Sequence, residues 1–170
     1  MVENLDTFAM LAEIFGAITI IIGAIFAFFQ LKEHKKRLRI EIAAEMCRKF
    51  AEPELGRAIT LVKRLPDDIS LESLQNMDKE YEESAQIVGM AFETMGLLVH
   101  KEVASFELIQ ELTGGLLLMM WRKTRSWIRE TREIESNDRF GEWVEWLVMQ
   151  VEAREQNMVP AYKAYTNWRG

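Results

Sequence analysis

An all-α fold is predicted: one N-terminal transmembrane helix that continues into a stalk, then a cytoplasmic bundle of four to five helices. Three features of the sequence lead there. Residues 8–29 read FAMLAEIFGAITIIIGAIFAFF, with Glu13 as the single ionisable side chain. Lys32, Lys35, Lys36, Arg37 and Arg39 follow almost at once. Beyond residue 40 the apolar residues recur at intervals of three and four, with no alternating stretch of useful length. The parts this implies are residues 1–30 (terminus and spanning helix), 31–51 (basic neck and stalk), 52–158 (helical bundle) and 159–170 (tail).

The apolar run comes first. At about 1.5 Å per residue it extends about 33 Å, enough to cross a hydrocarbon core of about 30 Å. A buried helix of a soluble protein seldom runs so long without charge after its first turns. A cleaved signal peptide fits poorly, because Glu3 and Asp6 precede the run where such a peptide carries positive charge, and Phe28, Phe29 and Gln30 end it without small cleavage-site residues. Basic residues beside a span set its orientation, so the carboxyl side is expected to be cytoplasmic, with a short N-terminus outside, in the inner (cytoplasmic) membrane. The same five charges have a second possible role, contact with anionic lipid headgroups. At 100° per residue, Ala9, Ala12, Gly16, Thr19, Gly23 and Ala27 fall within a sector of roughly 80°, with Ile14, Ile18, Ile21, Ile25 and Phe28 on the far side. Small side chains let helix backbones approach closely in lipid, so this face predicts another membrane helix as partner, from a second copy or a different subunit. Glu13 at the outer end is expected to reach water.

The remainder is acidic. Taking the five basic and four acidic residues before Ile40 from the chain's 21 and 27 leaves 16 and 23, a net charge of −7. Nucleic acid is therefore not an expected partner, since phosphate contacts need a basic face. The single cysteine, Cys47, makes no internal disulfide.

Each helix follows from its punctuation. Residues 30–51 contain no glycine or proline, and Leu31, Leu38, Ile42 and Met46 form one stripe, so the spanning helix runs on as a stalk. Pro53 opens a helix carrying Leu55, Ile59, Val62 and Leu65, which Pro66 stops. Ser70 marks a short helical turn. Asp78 caps a longer helix with Tyr81, Ala85, Val88, Phe92, Met95 and Val99 facing inward. Ser105 starts the next, which Gly114-Gly115 is expected to bend or break. Its continuation from Leu116 repeats the apolar period through Met120, Trp127 and Ile134, with Trp121 alongside. Asn137 or Asp138 then caps a last long helix containing Phe140, Trp143, Val144, Leu147 and Val151.

Phe92-Glu93, Gly96-Leu97-Leu98-Val99, Trp121, Ile128, Arg132, Phe140 and Trp143 to Leu147, placed behind a spanning helix and a basic neck, resemble a widespread bacterial family of membrane-anchored, all-helical proteins of unknown function. The resemblance covers nearly the whole chain and implies a fold and a location, not an activity. It departs from the family pattern at Ala91-Phe92, where relatives carry paired Phe or Tyr before the glutamate.

Little in the sequence points to catalysis. His34 and His100 are the only histidines, and no Glu-x-x-His motif occurs for a carboxylate-bridged metal bundle. Glu107 with Glu111, Glu130 with Glu133, and Glu142 with Glu145 read as solvated helix faces. Cys47 stands before Arg48 and Lys49, which would lower its pKa, but it lacks a histidine base and reads as a small helix filler. No phosphate loop, dinucleotide turn or nucleophile elbow is present. Trp121, Trp127, Trp143 and Trp146 read as core and interface. Trp168, with Tyr162 and Tyr165, is expected to dock on a partner or fold back. Glu93 lies beside the inward face of its helix, and a buried carboxylate needs a partner, so a contact with Arg132, with Glu145 nearby, is expected. The function these features predict is a non-enzymatic membrane-anchored interaction or scaffold protein, or accessory subunit, without cofactor or metal. Its expected partners are the bilayer, another membrane helix and a cytoplasmic protein. A membrane-associated sensor or stress and defence effector is the alternative, and a metal-dependent enzyme using the acidic helices a weaker third.

Overall fold

The structure is a computed structural model. It describes the backbone of residues 2–155, 159–167 and 169, and the side chains of these residues except 2–9, 11 and 12. All regular structure among the described residues is helical: α1 (Val2–Arg48), a 3₁₀ turn (Lys49–Ala51), α2 (Pro53–Arg64), α3 (Leu71–Gln75), α4 (Lys79–His100), α5 (Phe106–Glu135), α6 (Glu142–Glu155) and α7 (Ala161–Ala164). The chain divides into two compact units, Met1–Arg39 and Ile40–Gly170.

The first unit is a single helix. From Glu13 to Leu38 every residue is exposed, so the apolar stretch has no protein around it and its backbone groups are satisfied along the helix itself. Of the expected stalk stripe, Leu31 and Leu38 are exposed, Ile42 is half-buried and Met46 is buried.

The second unit packs α4 against α2 and α6, while α5 meets α6, α3, α2 and α4. Ala43 and Met46 at the end of α1 join the same core. The inward face of α4 consists of Ala85, Val88, Phe92, Met95 and Val99, all buried, with Tyr81 half-buried at its start. Phe92 meets the ring of Phe50 at 5.3 Å. Burying one such side chain contributes about 1.5–3 kcal/mol.

Helix starts follow the local chemistry. Pro53 stands at the first turn of α2, where its missing N–H costs no hydrogen bond. The Ser70 hydroxyl accepts the Ser73 N–H at 3.1 Å, and the Ser105 hydroxyl accepts the Leu108 N–H at 3.4 Å. Asp78 precedes α4 without a side-chain cap.

Four expectations are corrected. α5 runs unbroken through Gly114-Gly115, so of the bend or break expected there the break does not occur. Gly114 is buried there, facing Val151 of α6, and a Cβ on it would stand at an ordinary contact distance of 3.5 Å from Val151 Cγ1. The buried stripe of α5 passes through Ile109, Thr113, Leu117, Met120, Thr124, Trp127, Ile128 and Thr131, leaving Ile134 72% exposed. Its threonines need no outside partner: the hydroxyls of Thr113, Thr124 and Thr131 donate to the carbonyls of Ile109, Met120 and Trp127. Finally, α6 begins at Glu142, several residues after Asn137 and Asp138. The Asn137 Oδ1 accepts the Arg139 N–H inside a turn, and Gly141, at φ +68°, makes the left-handed step into the helix. Phe140 therefore lies outside α6, edge-on to Trp127 with ring centroids 5.4 Å apart.

Candidate functional site

The most elaborate polar arrangement lies where α4 and α5 receive the first turn of α6. Gly96 and Glu93, three residues apart, share one face of α4. A Cβ on Gly96 would lie 2.2 Å from the carbonyl oxygen of Trp143, so the two backbones approach as only glycine permits. Glu93 Oε2 accepts the N–H of Trp143 at 3.1 Å and of Val144 at 2.9 Å. Those N–H groups have no partner within α6, and they form the positive end of its dipole. The carboxylate of one helix thus caps the N-terminus of another.

Arg132 joins a separate network. Its Nε donates to the Phe140 carbonyl at 2.7 Å and its Nη1 to Glu145 Oε2, while Arg129 Nη2 reaches Glu145 Oε1 at 3.3 Å. Glu93 therefore meets α6 backbone where an arginine was expected, and Arg132 meets Glu145. The Arg132 and Glu145 side chains are 17% and 26% exposed. Burial pushes the Glu145 carboxyl up, but the hydrogen bonds and charges of Arg132 and Arg129 outweigh it and hold the group below its ordinary value. Arg132 Nη2 is buried without a hydrogen-bond partner, 3.8 Å from the position of a Cβ on Gly141.

A groove of about 330 Å³ opens beside this junction. Met90, Trp127, Ile128, Phe140 and Val144 supply its apolar walls, and Gln86, Glu93 and Arg139 its polar groups. Its size is at the lower end of small-ligand sites. At the other end of the α4–α6 contact, His100 lies 4.7 Å from the ring of Trp143 and 5.4 Å from that of Trp146.

Of the carboxylates that read as solvated, Glu107, Glu111 and Glu133 are exposed, whereas Glu130, Glu142 and Glu145 are half-buried. Glu130 Oε2 accepts the Leu71 N–H at 2.7 Å, at the start of α3. Glu107 reaches Arg154 at 3.5 Å. Sequence reasoning passed over Asp67 and Asp68, which tie the α2–α3 loop to α5. Asp67 pairs with Lys123 at 2.8 Å and Arg122 at 3.1 Å, and Asp68 with Arg125. The backbone N–H groups of Asp68 and Ile69 also donate to the carbonyls of Arg122 and Lys123. The signal available was opposite charge: two acids after Pro66 against Arg122, Lys123 and Arg125. Burial raises the pKa of the Cys47 thiol, reversing the lowering expected from Arg48 and Lys49.

In the first unit, Gly16, Thr19, Gly23 and Ala27 are exposed, and a Cβ on either glycine would meet nothing within 4 Å. The Thr19 hydroxyl donates to the Phe15 carbonyl at 2.8 Å. The side chains of Ala9 and Ala12, like Trp168, lie outside the described residues. Lys32, Lys35 and Lys36 are exposed, Arg39 is half-buried, and Arg37 pairs with Glu33 at 3.3 Å. No three His, Cys, Asp or Glu side chains converge as a metal-binding group among the described residues.

A family model described as a domain of unknown function, DUF4760, matches residues 17–151. No curated protein and no solved structure matches the chain.

Proposed function

The chain belongs to the DUF4760 family, a domain of unknown function, and from that premise we propose a single-pass membrane protein whose acidic helical unit binds or organises another protein at the cytoplasmic face. One observation carries this reading. The apolar part of α1 reaches a mean hydropathy of 2.4 over 18 residues, and none of that stretch is buried. A core helix of similar composition would be covered by its own chain. An exposed apolar surface of this size in water is strongly unfavourable, whereas lipid solvates it.

The orientation rests on the five basic residues after the span. The interaction role rests on attachment itself: holding a small helical unit at a surface raises its effective concentration toward partners on the same surface.

Ultracentrifugation of lysed cells without surfactant tests the anchor. The full-length protein is expected in the pellet and should stay there through an alkaline carbonate wash. Recovery from the supernatant would overturn the reading. Affinity capture from detergent extracts tests the interaction role, with a second copy or another subunit expected at fixed stoichiometry. Monomer alone at every concentration would count against it.

A further inference from the structure

The neck has sides. Taking Lys32 as origin and stepping 100° per residue, Lys35, Lys36 and Arg39 fall with it inside a sector of roughly 100°, while Arg37 stands about 140° away. Glu33, the one carboxylate between residues 14 and 40, also lies off this sector, and it holds Arg37 at 3.3 Å. Lys32, Lys35 and Lys36 therefore share one face of the neck with Arg39, while Arg37 is turned aside beside Glu33.

That face continues the bulky side of the apolar helix. Ile14, Ile18, Ile21, Ile25 and Phe28 project within about 40° of the Lys32 direction, whereas Gly16, Gly23 and Ala27 project to the opposite side. These apolar side chains and the three lysines are all exposed along one unbroken helix. Lys32 follows Phe29 by about 4.5 Å of helix rise and Lys36 by about 10 Å. The headgroup layer is about 5–8 Å deep on each side of the hydrocarbon. Long lysine side chains bend toward whichever level suits the charge, so all three ammonium groups can reach that layer.

We propose that the Lys32–Lys35–Lys36 face binds anionic phospholipid headgroups, so that α1 turns one side to lipid from Ile14 through Lys36. The proposal rests on the membrane reading above and assigns the neck a lipid contact beyond its part in orientation. Phosphate attracts the ammonium groups, and the acyl chains of the same lipids lie against the isoleucine side directly below them. The small-residue side is left for protein.

The test uses full-length protein reconstituted into vesicles of phosphatidylcholine alone or of an equal mixture with phosphatidylglycerol. Spin-labelled lipids of each headgroup report which is held at the protein surface. Wild type is expected to prefer phosphatidylglycerol, and the preference should weaken as salt is raised. Lys32→Gln, Lys35→Gln and Lys36→Gln should each reduce it by up to about fivefold, while Arg37→Gln leaves it nearly unchanged. Equal retention of both headgroups by wild type would overturn the proposal, as would an Arg37→Gln effect as large as that of Lys36→Gln. A protein that enters neither vesicle would instead remove the membrane reading itself, and the proposal with it.

Discussion

Adding one carbon to Gly96 would place it 2.2 Å from the Trp143 carbonyl oxygen, a backbone atom that cannot swing aside. Gly96→Ala should therefore lower unfolding stability by about 1–3 kcal/mol or more, read from denaturant titration of the full-length protein in detergent. A variant with an unchanged midpoint would mean that α6 sits further from α4 than described. Glu93, one turn earlier, is the polar half of the same contact. Glu93→Ala leaves the Trp143 and Val144 N–H groups without their carboxylate and should cost about 0.5–2 kcal/mol. Glu93→Gln keeps an acceptor oxygen but loses the charge facing the helix dipole, so it should cost less. Equal losses for the two variants would show that the charge carries all of the effect. The need for a partner at Glu93 was legible from its place beside an apolar face. The partner was not, because the contact depends on where α6 begins, and Gly141 decides that by its left-handed backbone.

At the scale of elements, the α2–α3 loop is held to the middle of α5 by charge. Hydrogen bonding to Lys123 holds the Asp67 carboxyl below its ordinary value, and hydrogen bonding to Arg125 does the same for Asp68. A carboxylate whose pKa is lower folded than unfolded adds stability above its unfolded pKa, and that stability is lost as pH falls through the folded value. Stability should thus be level near neutrality and decline from about pH 4 downward, the unfolded aspartate value being about 3.9. Asp67→Asn with Asp68→Asn should flatten the decline, measured as the unfolding midpoint against pH, leaving the contributions of Glu107 and Glu145, whose pKa values are lowered too. A decline of unchanged steepness would assign the acid sensitivity elsewhere. In α1 the glycines have no neighbours, in contrast to Gly96. Gly23→Leu should therefore leave the unfolding midpoint of the helical unit unmoved while weakening association between anchors, measured by cross-linking in membranes. A shifted midpoint with unaltered cross-linking would argue against a partner on that side.

For the molecule as a whole, the division at Arg39 and Ile40 separates two units of opposite surface character. In the first unit the residues of α1 are exposed from Glu13 to Leu38, whereas the second buries its own apolar residues in a common core. The two should respond differently to their surroundings. Removing surfactant from the purified full-length protein should cause aggregation through α1, seen by light scattering, while near-ultraviolet circular dichroism of the tryptophans in the second unit persists. Simultaneous loss of the dichroism would show that the helical unit depends on the anchor's environment.

The sequence by itself determined the helical class, the long apolar segment and most helix starts, because these follow from periodicity, hydropathy and capping within a few residues of one another. The inward row of α4 was legible for the same reason: a helix repeats its face every three to four residues wherever it is placed. Only the tertiary structure decided that α5 passes through two glycines, that Ile134 turns outward while threonines line the core, and that Glu93 and Glu130 serve the first turns of other helices. The two carboxylate contacts depend on groups far apart in the chain: Glu93 on Trp143, Glu130 on Leu71. The short-range pattern that betrays a helix carries no record of which distant backbone will need a carboxylate, since that need arises only once the helices have packed.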